Sequence, residues 1–178
     1  MLSEDQIVAQ ILSGQTCKYR MLVEHYQQPV FRFARNLIGD EHEAEDIAQE
    51  VFLAAFAHLT AYNQQRASLL TWLLTITRNR CLNHLKRKRP LIDGNVIADT
   101  YSVEKPNVPH TDFWRQLDEA LDALPIDQKT AFVLAEIEEL PYADIAIIEQ
   151  TTLGTVKSRI HRAKQRLRIV LAPSLEEQ

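Results

Sequence analysis

Residues 142–171 read YADIAIIEQTTLGTVKSRIHRAKQRLRIVL, and their spacing decides the fold class. Leu153, Val156, Ile160, Ala163, Leu167, Val170 and Leu171 recur at intervals of three and four, which makes an apolar stripe about 100° wide on a helix. Opposite it stand Gly154, Thr155, Ser158, His161, Arg162 and Gln165, flanked by Lys157 and Arg159. Thr152 is placed to cap the helix start. The segment 142–149 has the length and pattern of a short helix, and just Gln150-Thr151 separates the two. Helices joined so tightly read as a helix-turn-helix, the second member entering the major groove with its cations near phosphates.

Working outward, helical periodicity continues over residues 4–12, 18–37, 41–59, 68–88, 113–123 and 127–138. Gly39-Asp40 and the polar stretch 63–67 interrupt it. Between 90 and 112, Pro90, Gly94, Pro106 and Pro109 appear with no sustained apolar period, which reads as a linker. The fold expected is all-α: two small helical domains, 1–89 and 113–178, joined by a flexible linker at 90–112, the second containing the helix-turn-helix. Four glycines are too few for the tight turns of an all-β chain of this length. No apolar run approaches the roughly 18 residues of a membrane span, so a soluble, cytoplasmic chain without membrane insertion is expected. Cys17 and Cys81 have no CxxC spacing and no His cluster, so reduced thiols are expected, with no metal or cofactor.

A net charge of −4 taken alone argues against a nucleic-acid partner, but its distribution reverses that. Asp40, Glu41, Glu43, Glu45, Asp46 and Glu50 crowd eleven residues that hold no Lys or Arg. From 51 to 92 no acid occurs, while Arg66, Arg78, Arg80, Lys86, Arg87, Lys88 and Arg89 do. The alternation repeats: 112–149 is strongly acidic, and 153–171 carries six cations and no acid. Each half therefore pairs an acidic surface with a basic one, suited to a basic partner on one side and an anion on the other.

On the helix 69–85, Leu69, Leu70, Trp72, Leu73, Leu74, Ile76, Cys81 and Leu85 share one broad face expected to be core. The remaining sector offers Thr75, Arg78, Asn79 and Lys86: charge for a phosphate backbone and hydrogen-bonding edges for bases. Before it, the loop 62–68 presents Tyr62, Asn63, Gln64, Gln65 and Ser68, a composition suited to holding an unstacked base. In the acidic helix, six carboxylates exceed what capping and the helix dipole need. Asp46 and Glu50 sit four apart on one face, placed to receive Arg or Lys from a protein partner. No nucleophile set or Gly-rich phosphate loop accompanies them, and no catalytic residue is assigned.

Three segments together, EAEDIAQEVFLAAF (43–56), ASLLTWLLTITRNRCLNHLKRKR (67–89) and LPIDQKTAFVLAEIEELPYADIAIIEQTTLGTVKSRIHRAKQRLR (124–168), resemble the extracytoplasmic-function sigma factors of the sigma-70 family. The likeness spans nearly the whole chain, with three motifs in the family's order. It implies a first domain that binds the beta-prime clamp of core RNA polymerase and reads and melts the minus-ten element. It implies a second that binds the beta flap and reads the minus-thirty-five element. By position, Glu45, Asp46, Gln49 and Glu50 match the clamp-binding motif. Tyr62, Asn63, Gln64 and Ser68 fall in the base-receiving loop, with Arg78, Asn79 and Lys86 on the promoter-facing helix. Thr155, Lys157, Ser158, His161 and Arg162 lie on the minus-thirty-five helix. The same resemblance implies promoter DNA and an anti-sigma factor as further partners.

Two residues depart from the family pattern. Gln150 stands in the helix-turn-helix turn, and Glu139 in the triplet 138–140, where glycine is usual. A side chain at positive φ is costly but tolerable, so the residues leave open whether the turn is kept or remodelled. Apart from the resemblance, the residues also suit an autonomous helix-turn-helix regulator, which would bind paired half-sites as a dimer.

Overall fold

The computed structural model describes residues 3–88 and 112–176, and of these the side chains of all but 112–114 and 173–176. The segment read as a linker, 90–112, lies outside the described residues except for Asp112, which opens a helix. Every regular element among the described residues is helical, and they form two compact units.

The first unit holds α1 (Glu4–Leu12), α2 (Tyr19–Ile38), α3 (Glu41–Ala57) and α4 (Leu69–Lys88). A capping box starts α1: Ser3 Oγ accepts from Gln6 N at 3.3 Å, and Gln6 Oε1 accepts from Ser3 N at 2.9 Å. Its end is closed by Gly14 at φ 103°, with Gln15 N donating to Gln10 O and Gly14 N to Ile11 O, each at 3.0 Å. α2 runs past Pro29 and stops at Gly39, φ 82°; Asp40 then caps α3, its carboxylate accepting from Glu43 N at 2.9 Å. The core draws Val8 and Ile11 from α1, Val30 and Phe33 from α2, Val51 and Ala55 from α3, and Leu69, Leu74 and Cys81 from α4. Each large side chain buried there contributes about 1.5–3 kcal/mol.

One boundary and one core face differ from expectation in this unit. The third helix ends at Ala57 and a short 3-10 turn, Leu59–Ala61, follows, because Leu59 dips back into the core. On α4 the buried set is Leu69, Thr71, Leu73, Leu74, Thr77 and Cys81, whereas Leu70, Trp72, Ile76 and Leu85 are only partly covered. Thr77 can be buried because its hydroxyl donates to Leu73 O at 2.8 Å; Thr75 does the same to Thr71 O. Threonines that satisfy their own hydroxyls pack as small apolar residues, and this displaces the core face around the helix.

The second unit holds α5 (Asp112–Asp122), α6 (Ile126–Phe132), α7 (Tyr142–Glu149) as far as Ala146, and α8 (Leu153–Glu176). Ala120, Leu121 and Leu124 pack on Ala163, Leu167 and Leu171 of α8, with Leu117 and Phe132 beside them. Lys129, 5% exposed, donates to Asp122 at 2.8 Å and ties α6 to α5. The expected helix 127–138 is not one α-helix: after Phe132 it widens to a π-turn, Val133–Ile137, with Glu138 N donating to Val133 O. On α8, Val156, Ile160, Ala163, Leu167 and Leu171 are buried as the stripe requires, but Leu153 and Val170 are exposed. Val170 lies one step round the wheel from Leu171, and Leu153 sits in the first turn.

Both departures from the family pattern keep the backbone that glycine would adopt. Glu139 has φ 54° and Gln150 φ 52°. Around Gln150, Thr151 N donates to Ala146 O at 3.0 Å and Gln150 N to Ile147 O at 3.1 Å, a Schellman closure with a glutamine at the left-handed position.

Candidate functional site

Three charged or polar surfaces carry the residues singled out by sequence. On α3, Glu45, Asp46, Gln49 and Glu50 are all exposed, while Ala44, Ile47, Ala48 and Val51 face the core. The six carboxylates of this region divide by partner. Asp40 caps the helix. Glu43 accepts from His84 Nε2 at 3.0 Å and from Lys88 Nζ, and Glu50 accepts from Arg80 at 3.1 Å. The order 43 to 84 and 88, then 50 to 80, runs antiparallel, so these pairs stitch α3 to α4. Glu41, Glu45 and Asp46 have no ionic partner among the described residues.

Beside this face, α2 and α3 frame an open groove of about 1250 Å³, with Val23, Phe31, Phe52, Leu53 and Phe56 in its lining and Glu45 and Gln49 at its rim. Leu53 is 72% exposed and Phe56 43%. Sequence reasoning missed this pair; the available signal was an apolar run, 51–56, wider than one core face of a helix needs. Tyr19 closes one end, its hydroxyl donating to Phe52 O at 2.6 Å and its ring edge-on to Phe56. Burial pushes the Tyr19 phenol up to about 12.

The loop before α4 forms a polar recess of about 530 Å³ lined by Thr60, Ala61, Tyr62, Asn63, Gln64, Gln65 and Arg66. Its shape is local: Asn63 Oδ1 accepts from Gln65 N at 2.8 Å, and Arg66 N donates to Asn63 O at 3.0 Å. The Tyr62 ring leans on Trp72, centroids 5.5 Å apart. Tyr62 has a raised pKa, first through burial and then through the Asp5 and Glu4 carboxylates. Ser68 has a structural duty: its hydroxyl accepts from Thr71 N at 3.1 Å and caps α4. Along α4, Asn79 and Lys86 are exposed and Arg78 is half-buried, its Nε buried with no hydrogen-bond partner among the described residues.

On α8, Lys157, Ser158, His161 and Arg162 are exposed and Thr155 is partly covered. Thr152 Oγ1 accepts from Thr155 N at 3.2 Å and lies 2.9 Å from the Thr155 hydroxyl, so Thr155 helps build the helix start. The cations divide as the acids of α3 do. Arg159 reaches Asp127 at 2.9 Å and Lys164 reaches Glu136 at 2.8 Å, bracing α8. The hydrogen bond from Lys164 to Glu136 raises the lysine pKa. Lys157, Arg162, Arg166 and Arg168 point outward with no ionic partner among the described residues. No group of three or more His, Cys, Asp or Glu among the described residues is placed to hold a metal, both cysteines are free thiols, and no described helix is long and apolar enough to cross a membrane.

Comparison with known proteins gives concordant matches. The family Sigma-70 region 2 matches residues 22–90, and Sigma-70, region 4 matches residues 114–167. The chain is 37% identical over 163 residues to the ECF RNA polymerase sigma factor SigE of Mycolicibacterium smegmatis, covering 88% of this chain and 62% of that relative's length. It is 33% identical over 187 residues to the RNA polymerase sigma-H factor of Pseudomonas aeruginosa, covering 98% of this chain and 96% of that one. Among solved structures, the sigma factor RpoE of Bartonella quintana, in complex with the anti-sigma factor NepR, superposes with a TM-score of 0.68 at 25% identity, covering 86% and 96% of the two chains.

Proposed function

The chain belongs to the extracytoplasmic-function sigma factors of the sigma-70 family, proteins of transcription initiation, and from that premise we propose how its two units divide the work. The first unit, assigned residues 1–89, seats on the clamp of core RNA polymerase through Glu45, Asp46 and Gln49, with Leu53 and Phe56 in the adjoining groove. Its loop takes a base from the melted minus-ten element, and Arg78, Asn79 and Lys86 hold the strand. The second unit, assigned residues 113–178, lays α8 in the major groove at minus thirty-five, with Ser158, His161 and Arg162 toward base edges and Lys157 toward phosphate. Glu50 adds less than its neighbours, since Arg80 already neutralises it. The polymerase performs the chemistry, and this chain contributes recognition and no catalytic group. It acts in the cytoplasm, and an anti-sigma factor, as in the RpoE complex, is the expected regulator.

What carries this reading is the outward set on each charged helix: Glu45 and Asp46 on α3, Lys157 and Arg162 on α8, left over after the bracing pairs are made. Matches to both sigma-70 regions on one chain favour the polymerase subunit over an autonomous regulator. The test is reconstitution of the purified chain with bacterial core polymerase on a promoter library. Initiation from a distinct promoter set requiring both components is expected. No association with core, together with tight sequence-specific binding by the chain alone, would overturn the proposal.

A further inference from the structure

The first turn of α1 lies against the base-receiving loop. Asp5 meets the Gln64 side chain: with the amide oriented so that its nitrogen donates, Gln64 Nε2 lies 2.7 Å from Asp5 Oδ2. Glu4, one residue earlier, accepts from the hydroxyl of Tyr26, a residue of α2 that is 5% exposed, so this turn is anchored to the core from beneath. The capping box at Ser3 and the burial of Ile7, Val8 and Ile11 fix the same turn from either end. Tyr62, which stands beside both carboxylates, belongs to the same cluster.

We propose that Asp5 is a positioning residue for base recognition: it holds the Gln64 amide by its nitrogen, so that the loop offers a base the amide oxygen, an acceptor of fixed orientation. A free glutamine amide flips between donor and acceptor edges at little cost and discriminates poorly. A carboxylate accepts and never donates, so it binds the nitrogen edge alone and leaves the oxygen edge for a partner carrying N–H. Sequence alone gives no reason to link a residue in the first helix to a loop nearly sixty positions on. The link rests on the reading of this loop as the minus-ten base receiver.

The experiment measures initiation by reconstituted holoenzyme over templates carrying all four bases at each minus-ten position, for the native chain, Asp5→Ala, Gln64→Ala, the Asp5/Gln64 double variant and Asn63→Ala. Asp5 is exposed on the surface of α1, and far-ultraviolet helicity checks that the fold survives. The expected result is a loss on the order of fivefold in base discrimination at one position for Asp5→Ala, as for a partly exposed charge-assisted hydrogen bond. Core-polymerase affinity and minus-thirty-five preference stay unchanged, and Asp5→Ala adds nothing in the Gln64→Ala background. A uniform fall on all templates, or a shift of preference that persists without Gln64, overturns the positioning role. If neither Gln64→Ala nor Asn63→Ala alters preference at any minus-ten base, the loop reading itself fails and the inference falls with it.

Discussion

α3 and α8 are charged helices of opposite sign built to the same plan. Each spends part of its charge on its own unit, Glu43 and Glu50 on α4 in one case, Arg159 on Asp127 and Lys164 on Glu136 in the other. Each leaves the rest facing outward. The difference lies in the surroundings: the acids of α3 border an apolar groove, whereas the cations of α8 alternate with Ser158, His161 and Gln165 on an exposed polar surface. An acidic rim round exposed Leu53 and Phe56 suits a protein surface, where apolar contact supplies affinity and charge supplies register. A cationic face interleaved with small polar groups suits a duplex.

The largest expected effect tests the α3 side of that comparison. Asp46→Arg puts a like charge against a basic partner and should lower promoter-directed transcription by on the order of a hundredfold, several kcal/mol in binding. Helicity and thermal midpoint should stay native, since Asp46 has no ionic partner among the described residues. Unchanged transcription would remove α3 from the polymerase contact. On the α8 side, Arg162→Ala should weaken discrimination at the upstream element by about 1–3 kcal/mol if it meets a base edge. Competition binding across single-base variants separates this from an equal loss on all sequences, which would mark a phosphate contact.

The units also differ in how they stop their helices. Gly14 and Gly39 sit at φ 103° and 82°, outside the narrow left-handed well open to side chains, whereas Glu139 and Gln150 sit at 54° and 52°, inside it. The stops at Gly14 and Gly39 therefore require glycine, while those at Glu139 and Gln150 tolerate its absence. Gly39→Ala should destabilise the first unit by about 1–2 kcal/mol. Gln150→Gly should stabilise the helix-turn-helix by about 0.5–1 kcal/mol, the relief of strain exceeding the entropy glycine adds to the unfolded chain. Thermal melts of the two variants should shift in opposite directions, and a fall in both would mean that the Gln150 side chain stabilises the turn by contacts of its own.

The last expected effect is one of pH and concerns the first unit. The Tyr19 phenol, raised to about 12 from an ordinary value of 10.0, holds its proton in the folded state after the unfolded chain has lost it. Between those values the native state binds more protons, so stability falls as pH rises, and it is fully present below 10. Tyr19→Phe should flatten that slope in denaturant titrations between pH 9 and roughly 12. An unaltered slope would place the alkaline sensitivity elsewhere, Tyr26 being the next candidate, its phenol raised first by burial and then by its hydrogen bond to Glu4.

Much of the architecture was legible from residues alone. The eight α-helices among the described residues follow from apolar spacing and, for α8, from the cap at Thr152, because periodicity and capping act within four residues of chain. The same local rule placed Lys157, Ser158, His161 and Arg162 opposite the buried stripe, whereas Glu45 and Gln49 were singled out by family resemblance alone; both are exposed, beside buried Ala44, Ile47 and Ala48. Composition could not say which charges were already matched. That Glu50 meets Arg80, that Lys129 lies buried against Asp122, and that Asp5 meets Gln64 are facts of contact between segments 7 to 59 residues apart. Nor could periodicity foresee Thr71 and Thr77 inside with Trp72 half outside, because a threonine counts as polar until its hydroxyl finds a carbonyl one turn back. Local pattern thus determined the helices, their faces and the sign of each surface; the tertiary structure decided which side chains on those faces remain free to meet a partner, because charge satisfaction and burial are settled only when distant segments pack.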